Sequence, residues 1–318
     1  MRIIVAHNSP DLDAIASVWL IKKFLQGWEE AEVRFVPAGE RIRELKPQTS
    51  NLKSAIEEIN GDEVIHVDTG FGPLDHHDTD DTSISAASLT WEFIKKAESS
   101  RFEAESSERV QDKMGAIERM VEVVVDVDHF KEIFWDNPLA SYHEFSVLGI
   151  LDGLKIQKPN QDDFYIDFIM QCLDAVLHNF ENRIWAEREI KEKGVEFETR
   201  FGKGLGLETI NDSVVKLAQK MGYSIVVRKD PRKGYVRVKA RPSKRLGSSK
   251  LASNSEEKKL NAEIDLTLVY EKMKKMDPSA TWFLHISKKM LLNGSVKNPK
   301  MRATRLSLND IIEVLRAI

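Results

Sequence analysis

The chain has 318 residues, 42% of them hydrophobic and 31% charged, with a net charge of −4. That length exceeds one typical domain, and the composition excludes a disordered or fibrous chain. No apolar run reaches the roughly 20 residues of a membrane span, Met1-Arg2-Ile3 leads straight into a strand without a signal peptide, and the single cysteine, Cys172, excludes an internal disulfide. A cytoplasmic protein with no membrane partner is expected.

In chain order, residues 2–6 form a short β-branched run that reads as a buried strand, followed by helical spacing over 13–26. A strand at 32–36, a helix at 50–59, a strand at 63–68 and a helix at 85–98 continue the alternation. Strand and helix in turn predict an α/β fold, with a mainly parallel sheet and helices on both faces. Residues 99–110 are polar and read as an exposed connection. Helical spacing resumes over 111–125 and 145–154, around a turn at Asn137-Pro138. One long helix covers 162–193, with Gly194 as its C-cap.

Three parts follow: a first domain over 1–160, a linking helix over 161–194, and a smaller α+β domain over 195–318. In the last part GKGLGL reads as a turn, lacking the flanking strand and the Lys-Ser/Thr ending of a phosphate loop. A helix at about 211–221 and a strand pair, 224–227 with 235–239, come next. A mobile Ser, Lys and Gly-rich loop covers 242–259. A helix at 263–276, a strand at 281–286 and a helix at 307–317, N-capped by Ser307, complete the chain.

Charge is unevenly spread. From Tyr223 to Arg305, 21 Lys and Arg face 7 Asp and Glu, a local balance of +14 that leaves −18 on the rest. Acids therefore concentrate in one part and bases in another, as an anionic substrate held between them would require.

The acids fall at telling places. His7 ends the first strand, Asp11 and Asp13 sit in the turn into the first helix, and Asp68 ends the strand Val64–Val67. Groups at the carboxyl ends of strands in an open α/β sheet face one crevice. Several carboxylates brought together repel one another unless a cation or a proton lies between them. Imidazole and carboxylate donors suit manganese, zinc or iron. Taken singly, Asp11 or Asp13 is also an ordinary helix cap, and Asp75-His76-His77 an ordinary polar loop.

The pattern H-x-x-x-D-x-D at His7, Asp11 and Asp13, a strand ending in Asp68, and then Asp75-His76-His77 resembles the DHH phosphoesterase superfamily. That group includes RecJ-type exonucleases, oligoribonucleases, cyclic-dinucleotide phosphodiesterases and manganese-dependent pyrophosphatases. The resemblance implies two divalent ions, Mn2+ by preference: His7, Asp11 and Asp68 hold one, while Asp13, Asp68 and His76 hold the other. It also implies that His77 contacts the scissile phosphate or the attacking water, and that Asp75 orients a histidine. The superfamily has one further aspartate. Residues 121–130, VEVVVDVDHF, offer both Asp126 and Asp128; Asp128 is preferred because it follows the longer apolar run, and His129 is a further candidate.

Basic residues supply the substrate side. Arg237, Lys239 and Arg241 alternate with apolar residues and so share one strand face. Lys297, Lys300, Arg302 and Arg305 follow Gly294, where glycine would let backbone approach a phosphate closely. GYSIVVRKDPRKGYVRVKARP and ATWFLHISKKMLLNGS are similar to the C-terminal half of the MYG-type branch of DHH proteins, a family of RNA exonucleases. The chain departs from that branch in having AHNSPDLDA in place of a His-Cys-Asp version. It also has NGSVKNPKMRAT where the usual DHH-associated substrate domain has G-G-G-H. The expected function is phosphodiester hydrolysis on RNA or a short oligonucleotide, with the oligomeric state open. The alternatives are a manganese-dependent pyrophosphatase and a catalytically silent nucleotide or nucleic-acid binder.

Overall fold

The computed structural model describes residues 1–42, 54–105, 107–242, 263–294, 298 and 300–317, and these form an α/β protein with two mixed sheets. They divide into two compact units, Met1–Glu181 and Asn182–Ile318. Among the described residues, no helix is long and apolar enough to cross a membrane. The expected loop at 242–259 lies, apart from Pro242, outside the described residues.

In the first unit, β1 (Arg2–His7) is followed by α1 (Leu12–Phe24), β2 (Glu32–Val36), β3 (Glu57–Ile59) and β4 (Asp62–His66). The sheet runs β2-β1-β4-β3, with β1 parallel to β2 and to β4, and β3 antiparallel at the edge. The edge strand corrects the helix expected at 50–59: of the described residues in that stretch, 54–56 form no helix and Glu57–Ile59 form β3. Asn60 and Gly61, both at positive φ (52° and 83°), make the tight turn that pairs β3 with β4. Ile3, Val5, Ile59 and Val64 pack together with Val36 and Ile42, a cluster without a helical residue among the described ones.

Helix α1 is buried almost throughout, including Asp13 and Ser17, as a helix apolar on all sides requires. Ser85 caps α2 (Ala86–Ala97) in a reciprocal box with Ser88. The polar connection expected at 99–110 is instead α3 (Ser99–Ala104) and the start of α4 (Glu108–Asp128). Short 3-10 turns at Lys131–Phe134 and Ser141–Phe145 precede α5 (Val147–Gln157) and α6 (Asp162–Lys193). The division between units falls within α6, whose Ile166, Ile169, Leu173 and Leu177 are buried in the first unit. Its Ala186 and Ile190 belong to a core cluster of the second.

The second unit is a six-stranded sheet ordered β5-β6-β7-β8-β10-β9, from β5 (Val195–Thr199), β6 (Gly202–Glu208), β7 (Ile225–Lys229), β8 (Val236–Ala240), β9 (Phe283–Leu284) and β10 (Met290–Asn293). Helices α7 (Ser213–Lys220), α8 (Thr267–Met276) and α9 (Leu308–Arg316) accompany it, Ser307 capping the last. GKGLGL is not a turn: it lies in β6, paired antiparallel to β5 and parallel to β7. Its glycines admit neighbours, since a Cβ on Gly204 would stand 2.4 Å from the Phe197 ring and one on Gly206 2.7 Å from Ile312.

Asp277 accepts hydrogen bonds from Ser279 Oγ, Thr304 Oγ1 and the Arg305 N–H, so its carboxyl lies far below the usual carboxylate range. Replacing Gly204 by valine drives a side chain into the Phe197 ring and should cost about 1–3 kcal/mol. A urea midpoint equal to the parent's would contradict that packing.

Candidate metal centre

Parallel pairing of β1 with β4, Val5 opposite His66, brings the carboxyl ends of both strands together. His7 stands at one end, and Asp68 follows two residues after the other. His7 Nδ1 donates to the Asn8 carbonyl at 2.9 Å, which fixes the ring and leaves Nε2 facing Asp68 Oδ2 at 3.2 Å and Asp11 Oδ2 at 3.7 Å. Asp11 divides its labour. Its Oδ1 accepts from the Asp13 and Ala14 N–H groups as the N-cap of α1, while Oδ2 turns to His7.

On the other side, Asp68 Oδ1 is 3.7 Å from His76 Nε2 and 3.7 Å from His77 Nδ1, and His76 Nε2 is 3.3 Å from Asp128 Oδ2. These three atoms, Asp68 Oδ1, His76 Nε2 and Asp128 Oδ2, are buried and have no hydrogen-bond partner among the described residues. Buried polar atoms are almost always paired, so three orphans aimed at one another mark a site built for another group. His7, Asp11 and Asp68 form one set of donors that can hold a metal ion; Asp68, His76 and His77 form a second, and His76, Asp128 and His129 a third. The donor chemistry, imidazole and carboxylate with no thiolate, fits a divalent cation such as Mn2+.

Asp13, Asp75 and the two aspartates of α4 lie around these atoms as follows. Asp13 is 2% exposed and accepts from Ser85 Oγ (2.7 Å), the Ala86 N–H (2.7 Å) and the Ala87 N–H (2.9 Å) at the start of α2, with Oδ2 3.7 Å from His76 Nε2. Its charge is met first by the positive end of a helix. Asp75 accepts from His77 Nδ1 at 2.6 Å and from the Phe71 N–H at 2.7 Å, so it orients the half-exposed His77. Of the two alternatives in α4, Asp128 joins the cluster and Asp126 pairs outward with Lys131 at 3.8 Å. His129 Nε2 donates to the Ile84 carbonyl at 2.7 Å while also standing 3.7 Å from Asp128 Oδ2. Ser9, Asp68, Phe71 and Phe130, all non-glycine residues near these groups, have φ of 52–54°, a left-handed conformation that surrounding structure must hold.

One brace was not anticipated. Arg41 donates to the Gly70 carbonyl at 2.9 Å and pairs with Glu57, which lies 3.5 Å from the buried His66. A Cβ on Gly70 or Gly72 would stand 2.3 or 2.6 Å from the Arg41 side chain, so the two glycines let that side chain lie against the loop joining Asp68 to Asp75. The spaced glycines of DTGFG are the sequence signal of such a close approach.

The basic residues belong to the second unit. Arg237 and Lys239 alternate with the buried Val236, Val238 and Ala240 on β8, and Arg237 is paired with Asp212. Lys300 and Arg302 are exposed, Arg241 is partly so, and Lys297 lies outside the described residues. The room expected at Gly294 (φ 81°) is already filled: a Cβ there would stand 2.0 Å from the Tyr235 ring, so this glycine serves packing.

Proton affinities follow from the crowding. Burial pushes the Asp68 carboxyl up to about 6 against the pull of His7, and burial with the charges of Asp68 and Asp128 lifts Asp13 well above the usual range. Burial also raises Asp128 and lowers His76. Burial opposes the charge on His7, but its hydrogen bonds with Asp11 and Asp68 carry it up to about 10.

No protein-family model and no curated protein matches the chain. Two solved structures each align with 99% of it and with 99% of their own length. One is an uncharacterized protein from Helicobacter pylori G27, at 13% identity and a TM-score of 0.23; the other is a putative family II inorganic pyrophosphatase from Methanococcus jannaschii, at 14% and 0.20. At these scores neither likeness bears on fold or function.

Two outcomes are expected. In metal-free protein, the proton on His7 stabilises the fold fully below the ordinary value of 6.5 and is lost as pH rises through about 10. The melting temperature should therefore fall between about pH 7 and pH 10, and Mn2+ should oppose that fall; a metal-free midpoint that climbs over this range would contradict the pairing of His7. In calorimetric titrations with Mn2+, Asp128→Asn should weaken binding roughly tenfold or more, whereas Asp126→Asn should leave it unchanged. Equal losses would remove Asp128 from the site.

Proposed function

We propose that this chain is a metal-dependent phosphoesterase that hydrolyses phosphodiester bonds in RNA or short oligonucleotides, with two divalent ions, Mn2+ by preference, held by His7, Asp11, Asp13, Asp68, His76 and Asp128. The observation that carries the reading is Asp68: one of its oxygens faces His7, and the other, buried without a partner, faces His76 and His77. A carboxylate shared between two sets of donors is what a paired-ion site requires.

Bound there, divalent ions polarise a phosphoryl oxygen and make water a stronger acid near neutral pH. The chain's own residues do the rest. Asp75 holds His77 by Nδ1, leaving Nε2 to donate to a phosphate oxygen as negative charge builds on it. Asp75 also raises the proton affinity of His77 against the effect of burial, which favours the donating form. The backbone brace through Arg41 keeps Asp68 and Asp75 at fixed separation.

An oligonucleotide substrate is supported by the charge of +14 over residues 223–305 and by Arg237, Lys239, Arg241, Lys300 and Arg302, which would meet backbone phosphates; affinity for a longer strand should then fall as salt is added. The test offers labelled short RNA, matching DNA and pyrophosphate side by side with Mn2+. Stepwise release of mononucleotides from RNA, abolished in a folded Asp68→Ala variant, is the expected result. Phosphate from pyrophosphate alone would replace this reading with a pyrophosphatase. Silence on all three substrates by metal-loaded protein would replace it with a binding protein.

A further inference from the structure

The turn that carries the first donors is held from far along the chain. Between His7 and Asp11 the backbone passes through Ser9 at φ 53°, a left-handed conformation uncommon for any residue but glycine. Asn8 is tied down locally: its N–H donates to the Val36 carbonyl at 2.7 Å, and its carbonyl accepts from His7 Nδ1. Ser9 has distant partners. Its N–H donates to Asp162 Oδ2 at 3.0 Å, and its carbonyl accepts from Lys155 Nζ at 3.0 Å. Pro10 follows, buried and with no N–H to offer.

Lys155 lies in the last turn of α5, and Asp162 opens α6. Both belong to the same compact unit as the donors, where Leu151, Tyr165, Ile166 and Ile169 anchor the two helices in buried surroundings. Both backbone polar groups of one residue are thus taken by side chains of opposite charge, one from each helix. Hydrogen bonds to ionised partners are stronger than neutral ones, and two from opposite sides leave the Ser9 backbone little freedom to turn. Asp162 gives something up for this position. Its Oδ1 is buried with no hydrogen-bond partner among the described residues.

Charge alone gives a different account of Lys155. A lysine bonded two residues before Asp11 repels an incoming divalent ion, so its charge opposes the ion that Asp11 would help to hold. Its place makes sense as a support.

We propose that Lys155 and Asp162 are positioning residues for the ion held by His7 and Asp11: gripping Ser9 on both sides, they keep the turn in the left-handed form that sets the spacing of those two donors. The proposal rests on the reading of His7 and Asp11 as metal ligands and is independent of the substrate.

The test is a calorimetric titration of the full chain with Mn2+, following the binding that His7→Ala removes. Lys155→Met should weaken it about tenfold, the low end of what loss of an outer support produces, although removing a cation would by charge alone tighten it. Lys155→Arg keeps a charged donor and should bind within about twofold of the parent. Asp162→Ala should also cost about tenfold, while Asp162→Asn, which loses the charge but keeps an accepting oxygen, should not. Adding Ser9→Gly to Lys155→Met should restore part of the loss, because glycine enters the left-handed region without a side-chain penalty. Parent-like or tighter binding by Lys155→Met, in a titration where Asp128→Asn is weakened, would overturn this proposal alone. Equal losses in Asp162→Asn and Asp162→Ala, or no recovery with Ser9→Gly, would do the same. A wild-type chain that binds no Mn2+ would overturn it together with the metal centre.

Discussion

Mutual repulsion among Asp11, Asp13, Asp68 and Asp128 is the constraint around which the first unit is arranged. Four carboxylates converging at the edge of one sheet would stay protonated or push apart unless each had an answer. Two answers come from the backbone: α1 begins on Asp11 Oδ1, and α2 begins on Asp13, so that two helix N-termini spend their partial positive charge here. Asp68 and Asp128 each keep an oxygen that accepts no hydrogen bond among the described residues. The fold thus answers two of the four carboxylates with peptide dipoles and leaves the other two with an oxygen that could meet a cation.

That division explains why so much ordinary structure surrounds the site. Parallel pairing of β1 and β4 sets the distance between His7 and Asp68. Ser85 both caps α2 and donates to Asp13, tying the start of one helix to the first turn of another. Arg41, lying across Gly70 and Gly72, fixes the loop through which Asp68 and Asp75 are joined. None of these residues needs to touch a ligand; each removes a freedom that the donors would otherwise have.

Much of this was legible in the residues themselves. Strand, turn and acid recur in the right order, and the dual use of Asp11 reconciles a cap with a donor because a carboxylate has two oxygens. The errors share a cause, which is local pattern read without its pairing partner. Helical spacing over 50–59 hid a hairpin that Asn60-Gly61 announces, and GKGLGL looked like a turn until Phe197 and Ile312 supplied a reason for its glycines. Helical spacing that stops at 125 leaves both Asp126 and Asp128 available, with only the longer apolar run favouring Asp128. On a helix that continues to Asp128, side chains two apart point to different sides, so one reaches the cluster and the other does not. Gly294 could be read for its freedom but not for its neighbour, Tyr235.

The boundary between the units has a consequence of another kind. It lies between Glu181 and Asn182, inside an unbroken helix rather than in a linker. Cutting there would leave raw helix ends, four amides on one side and four carbonyls on the other, with no cap to receive them. Modules that evolution exchanges freely tend to be joined by loops that can be severed and rejoined without such damage. The acidic and the basic halves of this chain are therefore poorly suited to being separated at that point.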